Sequence, residues 1–204
     1  MGAAAFRDAG ITLWADAAAA QLVGQRCTTC LKNLERLLGA EAMRHTEVVV
    51  PSHAPRGEVS VGGRRLRLIR FERAHSPGDL AVLDVASGVL FSGALVSIGR
   101  IPDVRDADTT AWREALARLR DVKPTRLVPG YGPVGTTADI ADHLAYLDAL
   151  QAQVHRHLRD GDGLVATERE AQLPQYREWG GYPGLHTRNV HWMYLREERH
   201  GFTE

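Results

Sequence analysis

The apolar positions of this chain change period several times, and each change marks an element. Residues 3–9 read as the end of a helix closed by Gly10, and residues 11–14 form a short apolar run of strand type. Asp16 is an N-cap candidate for a long helix to about Leu38, with Gly39 as its stop. Residues 48–50, before Pro51, are a second short strand candidate. Alternation resumes at Val59-Ser-Val61; a Gly62-Gly63 turn and Leu66-Arg-Leu-Ile-Arg-Phe71 complete a hairpin, with Leu66, Leu68 and Phe71 directed toward a core. A second hairpin follows, from residues 80–85 through a turn at Ala86-Ser87-Gly88 to residues 89–95.

Beyond Pro102 the period lengthens. Trp112, Leu116 and Leu119 stand at helical spacing within residues 109–119, Asp108 is placed to cap them, and Pro124 ends the helix. Residues 125–128 read as a strand running into Pro129-Gly130-Tyr131-Gly132-Pro133, whose composition forces a sharp loop. Thr137 or Asp139 opens a long amphipathic helix through about Leu158, with Ile140, Leu144, Leu147, Leu150 and Val154 along its apolar face. The tail from Gly161 carries another helix near residues 189–199, and no internal repeat is visible.

Composition narrows the function classes. At 204 residues with ordinary apolar content, the chain is expected to form one domain, 1–204. Lys plus Arg equals Asp plus Glu at 25 each, so no net field favours nucleic acid or an anionic membrane. The longest apolar run, residues 80–98, is broken by Asp84, Ser87, Gly88, Ser92 and Gly93, which excludes a membrane span there. The first ten residues lack a basic start and an adequate apolar stretch for a secretory leader, so the chain as written is expected in the cytoplasm. The two cysteines, Cys27 and Cys30, lack a second pair to complete a structural zinc site. They read either as two small residues on one helical face or as a local disulfide or redox pair.

Three segments then bring a known family into view. His75-Ser-Pro-Gly-Asp79, Val89-Leu-Phe-Ser-Gly-Ala-Leu-Val96 and Val128-Pro-Gly-Tyr-Gly-Pro-Val134 resemble consecutive landmarks of the metallo-β-lactamase fold. Gly181-Tyr182, His186 and Asn189-Val190 are similar to elements of its quinoprotein-associated zinc metallohydrolases. The resemblance implies an α/β class, an αββα sandwich of two face-to-face sheets with helices outside, and metals at one sheet edge. It also implies that much of the N-terminal sheet is missing, because family members place a His-x-His-x-Asp-His motif just before a helix like Gly2-Ala-Ala-Ala-Phe6, and the motif is absent.

In that family two metal ions are held by seven side chains: four from the motif, a later His, an Asp after a Gly, and a final His in a Pro-Gly-His-Gly loop. His75 matches the later His. Ala94 stands where the bridging Asp is expected and Tyr131 where the final His is expected. A methyl group donates no electrons to a cation, and a phenol with a pKa of about 10 is a poor zinc ligand at neutral pH. His75 is therefore the one metal-ligand position retained, and no catalytic residue or bound cofactor is expected.

Two functions follow from the resemblance. The first is a non-catalytic protein, either a pseudoenzyme or a truncated product; the second is a zinc-dependent hydrolase completed by another chain or by upstream sequence. A homo-oligomer, most simply a dimer, is expected because Leu66, Leu68, Val82, Leu90 and Leu95 would lose the cover of the missing sheet and the strand at Ile11 would expose an open edge. Among other polar residues, Asp79 reads as turn chemistry or a support for His75. His143, His155 and His157 read as solvated surface. His186 and His191 read as helix-end residues or a cryptic site, and Asp103, Asp106 and Asp108 as caps or a weak cation lure.

Overall fold

A computed structural model of the chain describes residues 2–201. It opens with helix α1 (Ala3–Asp8), the two-residue strand β1 (Trp14–Ala15) and the long helix α2 (Ala17–Leu38). Asp16 starts α2 as expected: its backbone is extended and its carboxylate accepts from the Ala18 N–H at 3.0 Å, satisfying a donor that the first turn leaves open. Gly39 closes the helix at φ +87°. Strand β2 (Ser52–His53) pairs in parallel with β1. Both short strands lie later than the apolar runs at residues 11–14 and 48–50. Their register is set by partner hydrogen bonds, Ser52 N–H to the Leu13 carbonyl and Ala54 N–H to the Ala15 carbonyl, both 2.8 Å, and Ile11 stays outside the ribbon.

The main sheet holds β3 (Glu58–Val61), β4 (Arg64–Arg73), β5 (Pro77–Asp84), β6 (Val89–Ser97) and β7 (Arg126–Tyr131), in that spatial order. Neighbours pair antiparallel except β6 with β7, which are parallel and so need a long crossover. Helix α3 (Thr109–Asp121) supplies it, with Asp108 accepting from the Ala111 N–H at 3.0 Å. The last strand continues through Pro129 and Gly130 to Tyr131, where the composition suggests a loop. As an edge strand it can carry a proline without losing a ladder bond.

Register sorts the side chains into two faces. Leu68 lies opposite Val82, Val82 opposite Phe91, and Phe91 opposite Val128, while Leu83, Leu90 and Leu127 line up on the other face. The second face is covered by α3, α4 (Thr137–Asp160) and α6 (Thr187–Arg199), and its core includes fully buried Trp112, Leu116, Leu119, Leu147 and Val154. Leu90 and Leu95 belong here with no exposed surface; grouping them with Leu66, Leu68 and Val82 on an uncovered face is therefore corrected. On the first face Leu68 is 9% exposed but Phe91 is 45% exposed, since only α2 and the small ribbon lie on the N-terminal side of the chain.

Helix α4 begins at Thr137, the earlier of the two starts that the sequence suggests. Thr136 is the cap, and Asp139 closes a capping box by accepting from the Thr136 N–H at 2.8 Å. The tail adds α5 (Leu164–Glu170), a 3-10 turn at Pro174–Tyr176 and a π turn at Tyr182–His186, none visible in the apolar pattern. Two of the α4 histidines are also not surface residues. His143 is fully buried and His157 is 4% exposed, because the helix is enclosed by β6 and α3 on one side and by the tail on the other.

Candidate functional site

His75 sits in the turn between β4 and β5. The turn is tied by Asp79, which accepts from both the Ser76 N–H and the Ser76 hydroxyl at 2.8 Å, so the turn reading of Asp79 holds. The His75 ring packs edge-on against Trp112 with centroids 5.1 Å apart, and the Trp112 indole N–H donates to the Leu95 carbonyl at 2.9 Å. His143 packs on Trp112 as well, at 5.0 Å. One indole thus fixes two imidazoles, one from the sheet edge and one from α4.

The His143 Nδ1 accepts from the Ser97 N–H at 3.1 Å, which leaves the proton of the neutral ring on Nε2. Burial first, and His75 second, push this imidazole from its ordinary 6.5 down to about 3, so it is neutral at physiological pH. His75 Nδ1 and His143 Nε2 are both buried without a hydrogen-bond partner. The nearest acidic atom to His75 Nδ1 is 3.8 Å away on Asp79, beyond hydrogen-bond range. A His75 held by a backbone hydrogen bond, the ordinary expectation for a turn residue, is not what the molecule shows.

His75 and Tyr131 meet across a cavity of about 150 Å³ also lined by Ser97, Arg100, Asp103 and Arg188. Ala94 does not line it; it lies on β6 beside Gly130 of β7, whose added Cβ would come within 2.8 Å of the Ala94 nitrogen. Arg100 stacks over the Tyr131 ring at 5.4 Å. Larger hollows, of about 510 and 760 Å³, lie around Arg73 and Arg70 and share none of these residues.

The cavity wall is stiffened from behind. Asn189 donates to the Pro102 carbonyl at 2.6 Å and accepts from the Val104 N–H at 3.1 Å; the Ile101 N–H reaches the Gly180 carbonyl at 3.1 Å. Asn189 also donates to the Tyr146 hydroxyl at 2.9 Å. That hydroxyl lies 3.1 Å from His186 Nδ1, and His186 Nε2 lies 2.8 Å from the Ala171 carbonyl. The carbonyl can only accept, so Nε2 carries the proton and Tyr146 donates to Nδ1. Both ring nitrogens of His186 are thereby satisfied, and burial lowers its pKa. His186 and Asn189 are thus a structural lock between α6 and the 101–104 loop, and His191 is paired with Glu168 at 2.6 Å. The acidic loop is likewise spoken for: Asp108 caps α3, Asp106 meets Arg26 and Arg105, and Asp103 accepts from the Arg105 N–H.

A zinc pair does not fit these side chains. Among the described residues no group of three or more His, Cys, Asp or Glu is placed to hold a metal ion, and a zinc site needs at least three protein donors. Cys27 and Cys30 are free thiols on α2, half-buried and exposed. Arg100, Arg188 and His143, which shape the region, were not legible as site residues. No spacing in the sequence links positions so far apart, and only the fold brings them together.

Comparisons with known proteins bear on the fold. Residues 40–131, which include His75, Ala94 and Tyr131, match the family model of the metallo-β-lactamase superfamily. A metallo-β-lactamase family protein from Thermus thermophilus superposes with a TM-score of 0.65 at 19% identity, covering 97% of this chain and 70% of its own. A metallo-β-lactamase from Pontibacter korlensis gives 0.52 at 21% identity, covering 72% of this chain; the match spans 62% of that protein's length. A search of curated proteins gives no match. Residues 40–131 are thus similar to the metallo-β-lactamase superfamily, and the chain has the α/β fold of these structures. No helix among the described residues is long and apolar enough to cross a membrane.

Proposed function

We propose that the chain is a non-catalytic protein of metallo-β-lactamase fold, similar to the quinoprotein-associated zinc hydrolases but with a degenerate metal site. The observation that carries the reading is the donor set. Where the family places a bridging carboxylate this chain has Ala94, and where it places a final imidazole it has Tyr131, half exposed and stacked under Arg100. A guanidinium beside the former ligand position opposes a second cation there, by like-charge repulsion. Without three donors and an open coordination position no water is activated, so neither nucleophile nor Lewis acid is supplied. Action in the cytoplasm, in one domain and as a homo-oligomer, without nucleic acid or membrane, completes the proposal.

Elemental analysis tests it. After mild chelation the purified chain is expected to hold well under one zinc per molecule and to hydrolyse β-lactam, thioester and phosphodiester substrates no faster than His75→Ala. Stoichiometric zinc together with a chelator-sensitive, His75-dependent rate would establish the other reading, a hydrolase completed by ligands from a second chain or from upstream sequence.

A further inference from the structure

The geometry points to the His75–Tyr131 cavity as a binding site for a small oxyanion, a carboxylate or a phosphate group, held by Arg100 and Arg188. The inference rests on the proposed loss of the metal pair, since it puts guanidinium charge where the resemblance would put cations. Charge is the first argument. The lining holds two arginines against one carboxylate, Asp103. Arg188 reaches Asp103 only at 3.7 Å, a long ion pair, and that carboxylate already accepts from the Arg105 N–H at 3.0 Å. Arg100 has the Tyr131 ring as its contact, which leaves its N–H fork available.

Size and rigidity supply the rest. A cavity of about 150 Å³ suits a phosphate group or a carboxylate of a few atoms, not an extended substrate. A partly buried His75 and the 101–104 loop, pinned by Asn189 and Gly180, line it. Arg100 is oriented beforehand by its stack on the Tyr131 ring, so it loses less freedom on binding, which favours affinity for a small ion. Tyr131 can donate its hydroxyl, where an imidazole in the family's loop would present a lone pair to a metal.

Isothermal titration of the chelated full chain with inorganic phosphate, and separately with acetate, tests the inference at low ionic strength. Saturable binding of at least one of the two is expected. It should weaken by about tenfold or more in Arg100→Gln and in Arg188→Gln, the loss of a charge-assisted hydrogen bond, and fade as salt is raised. Both arginines are largely exposed, so the variants should fold, and Arg118→Gln, which removes a guanidinium stacked on Phe71 elsewhere, should bind as the parent does. Absence of saturable binding with and without added zinc, or binding indifferent to both arginines, overturns the oxyanion site alone. Binding that appears only when zinc is added means that a metal holds the anion, and overturns the degenerate-site reading with it.

Discussion

His143 shows at the scale of one residue what the enclosed core does to chemistry. Its imidazole is fully buried between Trp112 and the Ser97 backbone, facing His75 from the β4–β5 turn, and is held neutral down to about pH 3. An unfolded chain would take up this proton near 6.5, so between those values the unfolded state binds more protons than the folded one. Stability therefore rises with pH across that window and levels off above it, with a contribution from this residue approaching about 1.4 kcal/mol per pH unit. Urea unfolding at several pH values between about 4.5 and about 7.5, inside and just above the window set by the two pKa values, should show a smaller slope for His143→Gln than for the parent chain; equal slopes would mean that His143 titrates freely. Such a role could not be read from sequence, where His143 looks like one polar position on an amphipathic helix. Burial comes from β6 and α3, elements far away along the chain. By contrast Asp16 and Asp108 were legible as caps, because a cap bonds to backbone two or three residues on.

At the scale of elements, legibility followed the range of the interaction. The two hairpins and the helices α2, α3 and α4 follow from local turns, caps and periodicity; the strands β1 and β2 were displaced because a distant partner sets their register. The β7 segment is the instructive case. Its Pro-Gly-Tyr-Gly-Pro composition suggests a loop, yet the pairing with β6 carries the strand to Tyr131, and the glycines serve close approach. Gly132 has φ +103°, and a Cβ there would collide with the Ile98 carbonyl oxygen. Gly161, at φ +78°, has nothing within 4 Å of the same position. Both Gly→Ala changes incur the strain of a left-handed backbone, on the order of 1 kcal/mol, but only Gly132→Ala must also push two strands apart. Gly132→Ala is expected to lower the urea midpoint clearly more than Gly161→Ala; equal losses would show that the β6–β7 approach yields easily.

For the whole molecule, the question left by a five-stranded sheet is what meets its first face, the one opposite α3, α4 and α6. Leu66, Leu68, Val82, Phe91 and Val128 share that face by register, Phe91 is 45% exposed, and Val61 at the sheet's end is equally open. Nearby on the N-terminal side, Trp14 and Val50 are 43% and 54% exposed, and α2 carries Leu37 and Leu38 largely in solvent. Apolar side chains left open along one sheet face are most simply closed by a two-fold axis that sets the face against itself. A homodimer through the Phe91 face is the outcome expected from light scattering at micromolar concentration, at twice the chain mass of 22.4 kDa. Phe91→Glu should return the chain to monomer without unfolding it, since the side chain is half exposed before any partner arrives, and a like charge on each copy would face its mate across the axis. A stable, cooperatively unfolding monomer of the parent chain would show that α2 and the small ribbon are cover enough. A dimer unaffected by Phe91→Glu would place the contact elsewhere, with the β1–β2 edges the next surface to test.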